Sequence, residues 1–278
     1  MTPASRLLRI SASLVLALGL TACMRVWTWG DQAPVVAPST EQSKQALVAR
    51  VLAPTGILRV GVYRGSPTSL VTVQGEQRGI AFELGHALGQ ALDVPVQVVE
   101  FARVAEVVKA VHDGQVDFTF TNASATRSRW VDFTQSLLRL ELGVLVAENT
   151  PIQSAQDLDR IGLRLGVSQG SSSQAILGER LKRTQVVPQA SLDAARQALA
   201  AGALDAFATN KGILFELADQ LPQHRVLSDA WGQEQLAIAI PQGRTDAMAW
   251  LQAWAQERVQ RGQIAALAQR AGLRGLAP

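Results

Sequence analysis

The stretch from Asp117 to Thr134, DFTFTNASATRSRWVDFT, gathers the residue types best suited to holding an anion. Val116, Phe118 and Phe120 alternate with Asp117, Thr119 and Thr121, the two-residue period of a strand with one buried face. Asn122, Ser124, Thr126 and Ser128 follow as short polar side chains, with Arg127 and Arg129 among them. A guanidinium is a rigid planar fork that meets a carboxylate with two parallel hydrogen bonds. Small donors beside such a fork, at the end of a buried strand, suit the capture of a carboxylate.

Other chemistries find less support. Gly166-Val167-Ser168-Gln169-Gly170 matches Gly-x-Ser-x-Gly, the nucleophile elbow of serine hydrolases, with Asp205 and His224 following in the right chain order. The equivalent position in the first half of the chain is Tyr63, so the Gly-Val-x-x-Gly frame reads as architecture. The single cysteine, Cys23, can form no internal disulfide. His86, His112 and His224 are scattered and offer no metal-ligand spacing. No cofactor-binding pattern is present, and no metal is expected.

The elements that must position the polar loop recur. Leu58-Arg59-Val60-Gly61-Val62-Tyr63-Arg64-Gly65-Ser66 returns as Leu163-Arg164-Leu165-Gly166-Val167-Ser168-Gln169-Gly170-Ser171. The phrase Gly114 to Asn122 returns as Gly202 to Asn210, both ending in Thr-Asn. Two lobes of similar design are expected, with a cleft between them. Within the first, Ile57–Val62 reads as a strand, and Ile80, Leu84, Leu88 and Leu92 mark one helix face. Val94–Val99 reads as a second strand, and Val104, Val107, Val108 and Val111 mark a second helix. Alternating strands and helices imply parallel sheets that bind ligands at the carboxyl ends of their strands. Tyr63, Ser66, Phe101 and Asn122 sit at such ends. In the second half, Ser171 and Ser172 open a helix whose N–H groups attract anions. Leu142–Val146 and Leu236–Ile240 read as strands crossing between the lobes. Trp250 and Trp254, four apart, read as core.

From about Gly56 to Leu273 the chain resembles the periplasmic solute-binding proteins of family 3, the polar-amino-acid group of ABC importers. The residues carrying the resemblance are the Leu-Arg-Val-Gly-Val opening, Gly79-Ile80-Ala81-Phe82-Glu83-Leu84, Asp113-Gly114-Gln115-Val116-Asp117, Thr126-Arg127-Ser128-Arg129 and Val131-Asp132-Phe133-Thr134. The resemblance implies an α/β, two-lobed type II periplasmic-binding-protein fold. Each lobe would be a mostly parallel sheet flanked by helices, with two crossing hinge strands. Lobe 1 is expected over 53–145 and 238–278, and lobe 2 over 146–237. It also implies that the arginine of Thr-x-x-Arg grips the ligand carboxylate, which assigns Arg129 and leaves Arg127 outside. Asn122, Ser124, Ser171, Ser172, Asn210, Tyr63, Ser66 and Phe101 complete the expected ligand site. Amino-acid binders of this family commonly carry an aspartate at the place of Asn210, to balance the ligand's ammonium. Asn can hydrogen bond but cannot balance that charge; if the missing countercharge is what excludes α-amino acids, Asn210→Asp is expected to improve their binding. The resemblance also admits catalytic, dehydratase-like members and sensor-coupled ones. Such catalysis would need a carboxylic acid or His in the cleft, for which Glu83 and Glu141 are open candidates. Binding without chemistry is the expectation.

The N-terminus reads as an export signal. Arg6 and Arg9 precede an apolar run, Ile10–Leu20, too short to span a bilayer. It ends in Leu20-Thr21-Ala22-Cys23, similar to a bacterial lipobox, so residues 1–22 are expected to be removed and Cys23 lipidated. Residues 23–52 then form a tether, with a short helix from Gln42 to Leu52. Each buried acyl methylene would contribute about 0.8 kcal/mol to anchoring. The chain has 278 residues, 47% of them hydrophobic, and a net charge of +3. Without Arg6 and Arg9 it keeps 24 basic and 23 acidic residues, a balance that points to no nucleic-acid surface. The expected partners are a small carboxylate solute, an ABC permease of the inner membrane and the membrane that holds the acyl chains. A monomer in the periplasm is expected.

Overall fold

The structure is a computed structural model and describes residues 40–277. Cys23, the export signal and the expected tether up to residue 39 lie outside the described residues.

Helix α1 (Thr40–Leu52) is followed by strand β1 (Leu58–Tyr63), a small hairpin of β2 (Val71–Val73) and β3 (Glu76–Arg78), and helix α2 (Ile80–Leu92). Then come β4 (Val96–Phe101), α3 (Val104–His112), β5 (Thr119–Asn122), a 3-10 turn (Arg127–Arg129), β6 (Val131–Phe133) and the long β7 (Leu138–Ala147). The second lobe holds β8 (Arg164–Ser168), α4 (Ser172–Arg180), β9 (Gln185–Gln189), α5 (Leu192–Ala200), β10 (Ala206–Asn210), α6 (Lys211–Gln220) and β11 (His224–Val226). The long β12 (Gly232–Pro241) returns to the first lobe, and α7 (Thr245–Gln260) and α8 (Gln263–Arg270) close it. Among the described residues no helix is long and apolar enough to cross a membrane.

Each lobe is built on parallel pairing. β1 pairs with β4, Leu58 opposite Val96 through Tyr63 opposite Phe101. β8 pairs in parallel with β9 and with β10. The four-residue spacing of Ile80, Leu84, Leu88 and Leu92 places all four in the lobe 1 core, with Val60, Val62, Phe118 and Phe120. Gly85 lets α2 lie directly on β1, since a Cβ there would come within 2.5 Å of Val60. Leu165, Val167, Ala206 and Ala208 form one core of lobe 2, and Phe207, Leu214 and Leu145 another.

The repeated phrases prove to be one ion-pair device used twice. In lobe 1, Arg59 gives Nε and Nη2 to the Asp117 carboxylate, each at 2.8 Å, and Arg244 adds a third contact at 2.8 Å. Asp117 is fully buried. In lobe 2, Arg164 meets Asp205 at 2.6 Å through Nη2, and its backbone N–H donates to the same carboxylate at 2.7 Å. Each pair pins the start of one strand to the start of its parallel neighbour. Asp117 is therefore held before β5 begins, where the alternation had placed it inside the strand.

The lobes are joined by β7 and β12, which pair antiparallel from Gly232 opposite Leu142 to Leu236 opposite Leu138. Beyond that contact β7 continues beside β10, and β12 beside β5. Leu140 and Glu234 lie opposite one another at the middle of the β7–β12 pairing. Segment 273–277 runs along the same joint. Leu276 bridges to Leu140, and Glu141 N–H donates to Gly275 O at 2.9 Å. Arg274 reaches Asp219 of α6 at 3.2 Å and lies over the Phe215 ring.

One assignment changes. The helix placed in the tether belongs to lobe 1: α1 packs against α7 and α2, with Val48 and Leu52 buried in the core. Its apolar positions are too few to announce a buried face, yet they fall where two neighbouring helices cover them.

Candidate functional site

Between the lobes lies a cavity of about 40 Å³, at the carboxyl ends of β1, β5, β8 and β10. Its polar lining includes Tyr63, Thr121, Asn122, Arg127, Ser168, Ser172, Asn210 and Glu234. Val104, Leu192, Ile213 and Leu236 supply apolar wall. The lobes touch around it. Asn122 Nδ2 donates to Ser172 Oγ at 3.2 Å, and Arg103 Nη1 to Ala190 O at 3.3 Å.

The arginine that enters the cavity is Arg127, and Arg129 stays outside. β5 ends at Asn122, and the chain turns through Ser124, whose Oγ accepts from Arg127 N–H at 3.3 Å. The 3-10 turn starts at Arg127. At three residues per turn, residues 127 and 129 point about 240° apart around its axis. Arg127 folds back over β5 and is buried, its Nη1 donating to Thr121 Oγ1 at 2.9 Å and to Asn122 O at 3.3 Å. Arg129 is exposed on the other side. So Arg127, which the resemblance left outside, lines the cavity, and Arg129 does not. Burial works against the Arg127 charge and lowers its pKa, with Glu234 and Tyr63 opposing that. A guanidinium stays protonated all the same.

The other expected residues divide into two groups. Asn122 and Ser172 meet across the cleft, and Ser171, beside them, caps α4 by accepting from Gln174 N–H at 3.1 Å. Tyr63 is buried, and burial raises its phenol pKa, so it stands as a neutral donor to Ser66 Oγ at 3.3 Å. Asn210 caps α6, its Oδ1 accepting from Ile213 N–H at 3.0 Å. Ser66, Ser124 and Phe101 do not line the cavity. Ser66 is fully buried and supports Tyr63 and Thr68. Ser124 caps the 3-10 turn. Phe101 packs beneath Val104 and Val107 and faces a separate groove between Arg64 and Leu192.

Glu234 was not foreseen. It sits partly buried near the start of β12, flanked by Gln233 and Gln235, a polar run that reads as solvated strand edge. Burial pushes its carboxyl up to about 7, against the attraction of Arg127 and a hydrogen bond from the Asn210 side chain. The acids left open by the sequence are engaged elsewhere. Glu83 pairs with Arg270 at 2.8 Å and Glu141 with Lys211 at 2.6 Å. Asp205, the would-be acid of a hydrolase triad, is held by Arg164. Among the described residues no cluster of three or more His, Cys, Asp or Glu is placed to hold a metal.

Two lobes on crossing strands around a polar cavity with a buried arginine define a solute-binding protein of the type II periplasmic fold. The family model for bacterial extracellular solute-binding proteins, family 3, matches residues 58–273, and the chain belongs to that family. A glutamine-binding protein of Geobacillus stearothermophilus is 25% identical over 168 residues, 59% of this chain and 64% of that one. The chain thus spans less than two thirds of that relative's length. Among solved structures, the solute receptor for L-cysteine of Neisseria gonorrhoeae superposes with a TM-score of 0.71 at 23% identity, covering 81% of this chain and 92% of that one. An ancestral amino acid-binding protein, a precursor of cyclohexadienyl dehydratase, superposes with a TM-score of 0.69 at 22% identity, covering 81% and 98%.

Proposed function

We propose that the cleft captures a small carboxylate-bearing solute, an amino acid or a close relative, and that the protein delivers it to an ABC importer. The carrying observation is Arg127: a buried guanidinium, fixed by Thr121 and Asn122, with its remaining donors beside an inter-lobe cavity. Such a fork meets a carboxylate bidentately. The relative named for glutamine and the neighbour named for L-cysteine support an amino-acid-type solute. Closure of the lobes follows from the site's two halves, because a ligand touching both favours the state that joins them. The export-signal sequence and Cys23 support a periplasmic, lipid-anchored form.

Calorimetry tests the anchor. A thermal-shift screen of amino acids and small carboxylates selects the ligand. Arg127→Ala should then cost about 2–5 kcal/mol of binding, roughly 30- to several-thousand-fold. Arg129→Ala should stay within a few-fold. The reverse ranking removes the assignment. Mass spectrometry of the membrane-extracted N-terminal peptide tests lipidation, and an unmodified Cys23 ends it.

One observation keeps a catalytic, dehydratase-like reading in play. Glu234 is a carboxylic acid inside the cleft with a pKa near the working range of a general acid. Proton NMR of the bound solute over hours separates the readings: an unchanged spectrum supports binding alone, and a new product supports catalysis.

A further inference from the structure

Arg127 and Glu234 line the same small cavity, yet no ion pair joins them within 4 Å. They act on one another, and on Tyr63, at Coulombic range. A guanidinium on the lobe 1 loop and a carboxylate on the crossing strand thus share one space without direct contact. Asn210 cannot add to the negative side. Its Oδ1 accepts from the α6 backbone, and its side chain favours the charged form of Glu234. It leaves the charge to β12. The remaining cation of the lining, Arg103, is paired with Glu106 at 2.8 Å.

Space limits the solute. A cavity of about 40 Å³ holds about three water molecules at roughly 10–15 Å³ each. Its lining beyond the two charges is mostly hydroxyls, Thr121, Ser168 and Ser172 among them.

We propose that Glu234 is the ammonium subsite and that the cleft takes short-chain α-amino acids as zwitterions, carboxylate on Arg127 and ammonium on Glu234. This rests on the carboxylate anchor proposed above and extends it to the other end of the solute. A short side chain then faces the hydroxyls. A long one, as in L-arginine, finds no room without reopening the lobes.

The test is calorimetry at pH 8 with L-alanine, L-serine, L-arginine, propionate and 3-hydroxypropionate, on the wild type, Glu234→Gln and Arg127→Met. The wild type should bind L-alanine or L-serine at least about 30-fold more tightly than the matching ammonium-free acid. Glu234→Gln should erase that preference, weakening the amino acid and leaving the plain acid within a few-fold. L-arginine should bind more weakly than L-serine.

Retained amino-acid affinity in Glu234→Gln, or an equal loss for both classes, overturns the ammonium subsite. Tighter binding of L-arginine overturns the size limit. If Arg127→Met binds normally, or the wild type takes neither class, the carboxylate anchor itself fails and the subsite with it.

Should Glu234→Gln not fold, the wild-type pH profile decides. Charged and titratable groups facing Glu234 are Arg127 and Tyr63. Its β7 partner, Leu140, lies between Arg139 and Glu141, and Glu141 is held by Lys211. Affinity for L-serine should fall about tenfold per pH unit below about 7, where the carboxylate takes up a proton. Propionate should not share that slope, and a common slope overturns the proposal.

Discussion

Asn122 and Asn210, the last residues of the two repeated phrases, hold matching places against the crossing strands. Asn122 lies opposite Leu236 of β12, and Asn210 opposite Leu142 of β7. Leu142 in turn faces Gly232, and Leu236 faces Leu138. Glu234 falls midway between Gly232 and Leu236, at the centre of the joint. The internal repeat therefore places the end of each lobe's strand on either side of one carboxylate.

That carboxylate should cost stability when ionised. Its folded pKa, about 7, lies above the usual value of 4.5. The penalty is absent below the unfolded pKa and grows as pH rises through the folded one. Glu234→Gln should melt close to the wild type at pH 4 and above it at pH 8, by on the order of 3 kcal/mol at most. Thermal denaturation at the two pH values checks this. An equal difference at both would remove the desolvated carboxylate as its cause.

Asn210→Asp should not improve amino-acid binding, contrary to the expectation from sequence. It would set a second carboxylate close to Glu234 and remove a side chain that favours its charged form. Two close carboxylates cannot both ionise readily, so one takes a raised pKa. The expected result is weaker L-serine binding at pH 7, partly recovered at pH 9. Calorimetry at both values reads it.

The two repeated ion pairs should differ in worth. Asp117→Asn leaves Arg59 and Arg244 without their buried partner and should cost about 3–5 kcal/mol. Asp205→Asn breaks a pair whose two side chains are 41% and 33% exposed, and should cost about 1 kcal/mol or less. Burial pushes the Asp117 carboxyl up, but hydrogen bonds from Arg59 and Arg244 outweigh it and hold the pKa below the ordinary value. Its contribution is thus present above about pH 4 and lost as pH falls further. Urea melts at pH 7 and pH 3 should show the Asp117→Asn deficit shrink in acid.

Leu52→Ala separates a tether from a core helix. Leu52 is 1% exposed, and truncating such a residue costs about 2–5 kcal/mol. Leu47→Ala, at 58% exposure, should cost little. Equal and negligible losses would return α1 to the tether.

The fold was legible because two phrases recur whole, and each keeps the Arg and Asp that pin its strands. The crossing strands were legible from apolar runs at Leu142 and Leu236. Which arginine enters the cavity was not legible: arginines two apart differ only in the turn that carries them, and nothing in Thr-Arg-Ser-Arg announces where a 3-10 turn begins. Glu234 was missed because Gln-Glu-Gln has no periodicity that separates a solvated edge from the floor of a cleft. The helix from Gln42 to Leu52 was legible, but its place in the core was not, because its burial depends on α7, some two hundred residues further on.

Segment 273–277 makes a third strap across the joint, beside β7 and β12. Two paired strands form the joint between β10 and β5. A third segment is fastened to β7 through Leu276 and to α6 through Arg274. Any closure that the proposed function requires must therefore carry this segment with it, because it is tied to both the joint and lobe 2.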